Sequence, residues 1–137
     1  MESKNVLIIE PSRRIRESVK NLLEFKGDKV FVALNEDEVF KCLNSNKIDV
    51  ILIEPLLGTD FLSNKEERVM NIIAGGIGIM LLNNIQKVCT QRLKIILYTT
   101  VSLDNLCKVA TQPERVFHFR KPEYIETLIA EIHRRDK

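Results

Sequence analysis

Two unbroken apolar runs, Asn5 to Ile9 (NVLII) and Val50 to Ile53 within Asp49–Glu54 (DVILIE), have the aliphatic and β-branched make-up of strands buried on both faces. Each run stops at a carboxylate followed by a proline, Glu10-Pro11 and Glu54-Pro55, so each acid stands where its strand leaves the core. Three shorter runs read as further strands: Lys29 to Ala33 (KVFVA), Leu93 to Tyr98 (LKIILY) and Val116 to Phe119 (VFHF). The fourth ends in Thr99-Thr100 and the fifth in Arg120-Lys121-Pro122.

Between the runs the apolar spacing becomes helical. Pro11 and Ser12 suit a first turn and its cap, Ile15, Val19, Leu22 and Leu23 follow as one stripe, and Gly27 stops the helix. Asn35 to Glu38 (NEDE) is a capping-box pattern with Val39, Cys42 and Leu43 inward, and Ser63-Asn64-Lys65-Glu66 is another, opening a short helix that ends before Gly75-Gly76. A main helix carries Leu81, Leu82, Ile85, Val88 and Cys89 on one face. A weak helix, Ser102 to Ala110, precedes the fifth strand, and Ile125, Leu128, Ile129 and Ile132 mark the last helix.

Strands alternating with helices imply an α/β fold, a parallel sheet covered on both faces. Right-handed crossovers put the ends of strands one, three, four and five on one edge of it. Ligands of open parallel sheets bind outside those carboxyl ends, and Glu10, Glu54, Thr99 and Lys121 are expected to converge there.

Composition narrows the classes of function. A chain of 137 residues fits one domain, 1–137, and its 45% apolar and 29% charged residues suit a globular protein. Twenty-one basic against nineteen acidic residues leave +2, too little to argue for nucleic acid. The clusters Arg13, Arg14, Arg16, Lys20 and His133, Arg134, Arg135, Lys137 read as solvated helix faces and complements of a helix dipole. Cys42, Cys89 and Cys107 lack paired spacing, which points to free, mostly buried thiols in a reducing compartment. The most apolar segment, Ile72 to Leu82, falls short of the about 20 residues a membrane span needs, and no signal peptide precedes the first strand, so a cytoplasmic location is expected.

Taken together, NVLIIEPS, DVILIEPLLG, KIILYTT and FHFRKP resemble the receiver domain of two-component response regulators, in the right order over nearly the whole chain. The resemblance implies a flavodoxin-like (CheY-like) doubly wound sheet of order 2-1-3-4-5. It also implies an acidic pair that binds magnesium, an aspartate that accepts a phosphoryl group, a Thr or Ser that senses it, and a Lys that pairs with it. Glu10 matches the first acid, Thr99 the sensor and Lys121 the lysine, whose bond to Pro122 the family usually makes cis. His118 falls at the family's switch position, although alternation with Phe117 and Phe119 equally suits a packing residue.

Two positions depart from the pattern. Pro11 stands where the second metal-binding acid would be and brings neither a ligand nor a backbone donor. Glu54 replaces the phosphoacceptor aspartate, and its extra methylene moves the carboxylate outward, spoiling in-line attack on a donor. Two carboxylates facing one ammonium need less compensation than a working site does, so Glu54 is expected to pair with Lys121 and to reach toward the Thr99 hydroxyl, without a metal. The segment 59–76 lengthens the loop between strand three and the following helix, and its Ile72 and Ile73, with Ile77 and Met80, carry apolar surface for a lid or a partner, or for the domain's own flank.

The leading expectation is a stand-alone pseudo-receiver: not an enzyme, not phosphorylated, without cofactor, and acting through a protein partner or as a homodimer. A histidine kinase or a downstream signalling protein is the partner class that the resemblance implies, through the fourth helix, fifth strand and fifth helix. The alternative keeps Mg-dependent phosphotransfer, with Glu54 or the more distant Asp60 as acceptor. An unrelated flavodoxin-like nucleotide binder is weaker, since the glycine-rich Gly75-Gly76-Ile77-Gly78 follows a helix and neither acidic turn has such a cradle. With His118 and His133 on separate elements, nucleophilic catalysis has little support. DNA binding is disfavoured, because little chain follows the last helix to form an output domain.

Overall fold

In the computed structural model, which describes residues 2–58, 61, 77–89, 92–99, 116–121 and 125–134, the apolar runs assemble into a five-stranded sheet of order β2-β1-β3-β4-β5. The strands are β1 (Asn5–Ile9), β2 (Lys29–Val32), β3 (Val50–Ile53), β4 (Lys94–Thr99) and β5 (Val116–Arg120), and every neighbouring pair is parallel. The fold is the flavodoxin-like, CheY-like arrangement. Helices α1 (Arg13–Phe25), α2 (Glu36–Ser45), α3 (Ile77–Val88) and α4 (Ile125–His133) complete the described elements. The expected helices after Ser63 and over Ser102 to Ala110 lie outside the described residues.

Because side chains alternate along a strand, each run serves two cores. Leu7, Ile9, Ile51, Ile53, Ile95 and Leu97 face α2 and α3, where Val39, Leu43, Leu81, Leu82 and Ile85 meet them. Val6, Ile8, Val50, Leu52, Ile96 and Tyr98 face α1 and α4, against Val19, Leu23, Leu128, Ile129 and Ile132. Burial on both faces explains why β1 and β3 carry no polar alternation.

The helix ends follow their local chemistry. Ser12 caps α1 by accepting from the Ile15 N–H at 3.4 Å, and Gly27 at φ 96 ends it, with the Asp28 N–H donating to the Leu23 carbonyl and the Gly27 N–H to that of Glu24. At α2, Asn35 accepts from the Glu38 N–H at 2.9 Å while Glu38 accepts from the Leu34 N–H at 2.7 Å, a capping box shifted by one residue. Gly78 has a different role. Its N–H donates to the Pro55 carbonyl at 2.9 Å, and a Cβ there would lie 2.3 Å from the Pro55 Cα. The start of α3 can rest on the turn after β3 only because residue 78 is glycine, so this glycine serves backbone packing.

Two expectations about packing, for Val88 and His133, are corrected. Val88 is 67% exposed, because it closes α3 at the sheet's rim, one turn past the last buried position, Ile85. Cys42 and Cys89 are free thiols, partly buried and packed against the α2–α3 core; Cys107 lies outside the described residues. Burial pushes the Cys42 thiol up, partly offset by a hydrogen bond from the Asn46 side chain. His133 is more than a dipole complement: its Nε2 lies 2.8 Å from Asp28 Oδ2, both side chains being buried.

Candidate functional site

The site is assembled by the register of four adjacent strands, β1, β3, β4 and β5. Ile9 pairs with Ile53, and the ladder runs one step further through the Glu54 N–H, which donates to the Ile9 carbonyl at 2.9 Å. Glu10 and Glu54 are the next residues on neighbouring strands, and alternation turns both toward the α1–α4 face. On the other side Thr99 pairs with Arg120, and the Lys121 N–H donates to the Thr99 carbonyl at 2.8 Å. Lys121 therefore leaves β5 with its side chain directed back over the sheet edge, where its Nζ stands 5.4 Å from the centre of the Tyr98 ring.

The ammonium of Lys121 sits between the two acids. Its Nζ is 2.7 Å from Glu10 Oε1 and 3.1 Å from Glu54 Oε1. The second oxygen of each carboxylate is held by a backbone donor two residues on: the Ser12 N–H donates to Glu10 Oε2 at 3.0 Å, and the Leu56 N–H to Glu54 Oε2 at 3.1 Å. All four carboxylate oxygens are thus engaged, and each acid is fixed at both ends. Glu10 is 6% exposed and Glu54 7%, so these contacts form in a poorly solvated place where each counts for more than on an open surface. Burial pushes the Lys121 ammonium down, but the hydrogen bonds and negative charges of Glu10, then Glu54, outweigh it and hold the group above lysine's usual range.

The four residues expected at this edge are all there. Glu10, Glu54 and Lys121 meet through their side chains, while Thr99 is fully buried and supports the site through its backbone carbonyl. The oxygens of Glu54 bond Lys121 and the Leu56 N–H. His118 lies in β5 opposite Leu97. Pro122 and Asp60 lie outside the described residues, as do Ile72 and Ile73.

Sequence reasoning missed two members. Tyr98 supplies the aromatic floor beneath Lys121, a role its place inside an apolar strand conceals. Arg16 was grouped with a solvated basic face, yet it is half-buried and its Nη1 donates to the Glu10 carbonyl at 2.9 Å. The signal lay in its position four residues past the Ser12 cap, next to the inward Ile15, which turns it toward the end of β1 rather than outward with Arg13 and Arg14.

A magnesium ion, which the resemblance implies, finds a poor donor set. Its ligands would be carboxylate and carbonyl oxygens, usually several of them. Here Glu10 and Glu54 spend one oxygen each on Lys121 and the other on a backbone N–H, and Pro11 contributes no side-chain oxygen. Among the described residues, no cluster of three or more His, Cys, Asp or Glu side chains is placed to hold a metal. Nor is any described helix long and apolar enough to cross a membrane.

No family model matches the chain, and no curated protein matches it. Solved structures do. A two-component response regulator from Clostridium difficile is 25% identical, with a TM-score of 0.70 over 95% of this chain and 93% of that one. A CheY-like response regulator receiver domain from Methylobacillus flagellatus is 18% identical, with a TM-score of 0.67 over 96% of this chain and 100% of its own. A response regulator from Burkholderia pseudomallei, solved with a phosphorylated aspartic acid, a calcium ion and citrate, is 21% identical, with a TM-score of 0.66 over 96% of this chain and 67% of its own. The structural neighbours are CheY-like receiver domains.

Proposed function

We propose that this chain is a receiver domain of the response-regulator type that signals through protein contacts without accepting a phosphoryl group. The observation that carries the reading is the placement of the Lys121 ammonium, 2.7 Å from Glu10 and 3.1 Å from Glu54. An acceptor must present a free carboxylate oxygen in line with its donor, and a metal must offset the charge that develops. Glu54 has both oxygens occupied, and Lys121 already supplies the compensating positive charge. Removing Glu54 from these bonds would strand Leu56's N–H and leave Lys121 with one partner. The pocket therefore works as a fixed fastening across β1, β3 and β5. Such a domain acts in one conformational state, recognised by a partner protein or by a second copy of itself, and needs no cofactor.

The test is incubation with acetyl phosphate and magnesium followed by intact-mass measurement. The expected spectrum is that of the untreated chain. A stable adduct of one phosphoryl group, mapped to Glu54, overturns the reading in favour of Mg-dependent phosphotransfer.

A further inference from the structure

Beside the Glu10–Glu54–Lys121 cluster lies a cavity of about 180 Å³ that the proposed function does not use. It opens between the turns that follow β1, β2 and β3. Pro11, Ala33, Leu34, Leu57 and Phe61 make most of its wall apolar, and Arg16 lines it together with Glu10. For comparison, an apolar cavity of ~150 Å³ is large enough to hold a benzene-sized molecule.

The guanidinium in this wall has donors to spare. Glu10 turns one oxygen to Lys121 and the other to the Ser12 N–H, so its carboxylate is spent within the neighbouring cluster. What Arg16 receives from Glu10 is the backbone carbonyl, through Nη1 alone. Among the described residues Arg16 forms no ion pair, although it is half-buried and carries further N–H donors. A guanidinium presents its donors as a planar fork that matches a carboxylate. The rim adds a second cue: Leu34, 56% exposed, displays apolar surface at the mouth, while its own N–H is already bonded to Glu38.

We propose that this cavity binds a small organic carboxylate with a short branched aliphatic body, its carboxylate on the Arg16 fork and its body between Leu34, Leu57 and Phe61. The ligand gives the unspent N–H donors of Arg16 an acceptor and covers the apolar lining. The cavity adjoins the acidic cluster through Glu10 but takes in neither Glu54 nor Lys121, so the proposal stands whether or not Glu54 accepts a phosphoryl group.

The test uses 4-methylpentanoate titrated into the ¹⁵N-labelled chain, with 4-methylpentanamide as a neutral control of the same shape. Expected are saturable shifts concentrated at the amides of Leu34, Leu57 and Gly58, and binding by the amide at least about tenfold weaker, the ratio that losing a charge-assisted hydrogen bond produces. Arg16→Gln is expected to weaken the carboxylate by a similar factor and to leave the amide unchanged. Leu34→Glu, at an exposed position, keeps the fold and places a competing carboxylate at the mouth; it is expected to abolish binding. Equal binding of acid and amide, shifts scattered over the surface, no shift at all, or unchanged affinity in Leu34→Glu would overturn the proposal.

Discussion

The two edges of the sheet each hold a buried group of opposite charges, and they differ in nearly everything else. At the edge where the strands begin, Lys94 of β4 lies 2.6 Å from Glu131 Oε2 of α4, each side chain being 5% exposed. Oε2 lies off the line of a directed hydrogen bond, so this contact is an ion pair, while the ammonium also donates to the carbonyls of Glu131 and Arg134 and lies 4.9 Å from the centre of the Phe117 ring. Nearby, His133 bonds Asp28, whose other oxygen accepts from the Lys4 N–H at 2.9 Å. The buried partners are matched one to one, with the 68% exposed Arg134 adding a contact of 3.5 Å to Glu131, and they tie the end of α4 to the sheet. At the opposite edge two acids share one lysine, the residues sit on turns rather than inside elements, and a cavity opens alongside. Burial of charge is common to both edges. What separates them is unequal charge on the turns at the carboxyl ends of the strands, which is where a parallel sheet places its chemistry.

That contrast can be broken first at the structural edge. Lys94→Met leaves the buried Glu131 with only the exposed Arg134 beside it and is expected to cost about 3–5 kcal/mol of stability, measured by urea unfolding. Pairing it with Glu131→Leu is expected to recover most of the loss, since a buried ion pair exchanged for apolar residues of similar size is often neutral. A double variant as unstable as the single would mean that the ammonium's bonds to the α4 carbonyls, rather than the ion pair, hold the helix end.

The same substitution at the other edge should do less. Lys121→Met removes one ammonium from two carboxylates that keep their bonds to the Ser12 and Leu56 N–H groups, with a lysine side chain that is 12% exposed. The expected cost lies toward the lower end of about 1–3 kcal/mol. The pH dependence has a definite sign. Folding holds the Lys121 ammonium above its usual range, so its contribution is complete below the unfolded value of about 10.4 and is lost as pH rises through the higher folded value. Stability of the parent chain minus that of Lys121→Met, followed by thermal unfolding, should stay level from neutral pH to about 10 and shrink only above it. A difference that already falls between pH 7 and 9 would contradict the shift.

The sequence made one edge far more legible than the other. Glu10 and Glu54 end apolar runs, and Lys121 follows another, so alternation and crossover handedness were enough to bring them together. The resemblance then gave the strand order that the sheet has. Lys94 and Glu131 offered no comparable signal. Lys94 sits inside LKIILY, where a lysine at a strand start reads as solvent-facing, and Glu131 lies in the stripe of Leu128 and Ile132 without breaking its periodicity. Their pairing joins residues 37 positions apart, which no local pattern encodes. Gly78 was hidden for another reason: its need is the close approach of Pro55, a tertiary contact that its glycine-rich neighbours do not encode. Arg16 and the Asp28–His133 contact were likewise masked, because charged residues near helix ends suit a solvated surface equally well.

Lys121 is the cation that Glu10 and Glu54 hold. Magnesium titrated into the ¹⁵N-labelled chain tests this most directly, read at the backbone amides of Glu10, Glu54 and Lys121. With Lys121 in place, those resonances are expected to stay unmoved through millimolar magnesium. Saturable, submillimolar binding at these amides that Glu10→Ala abolishes would show that the acids release the ammonium for a metal, and would contradict the account.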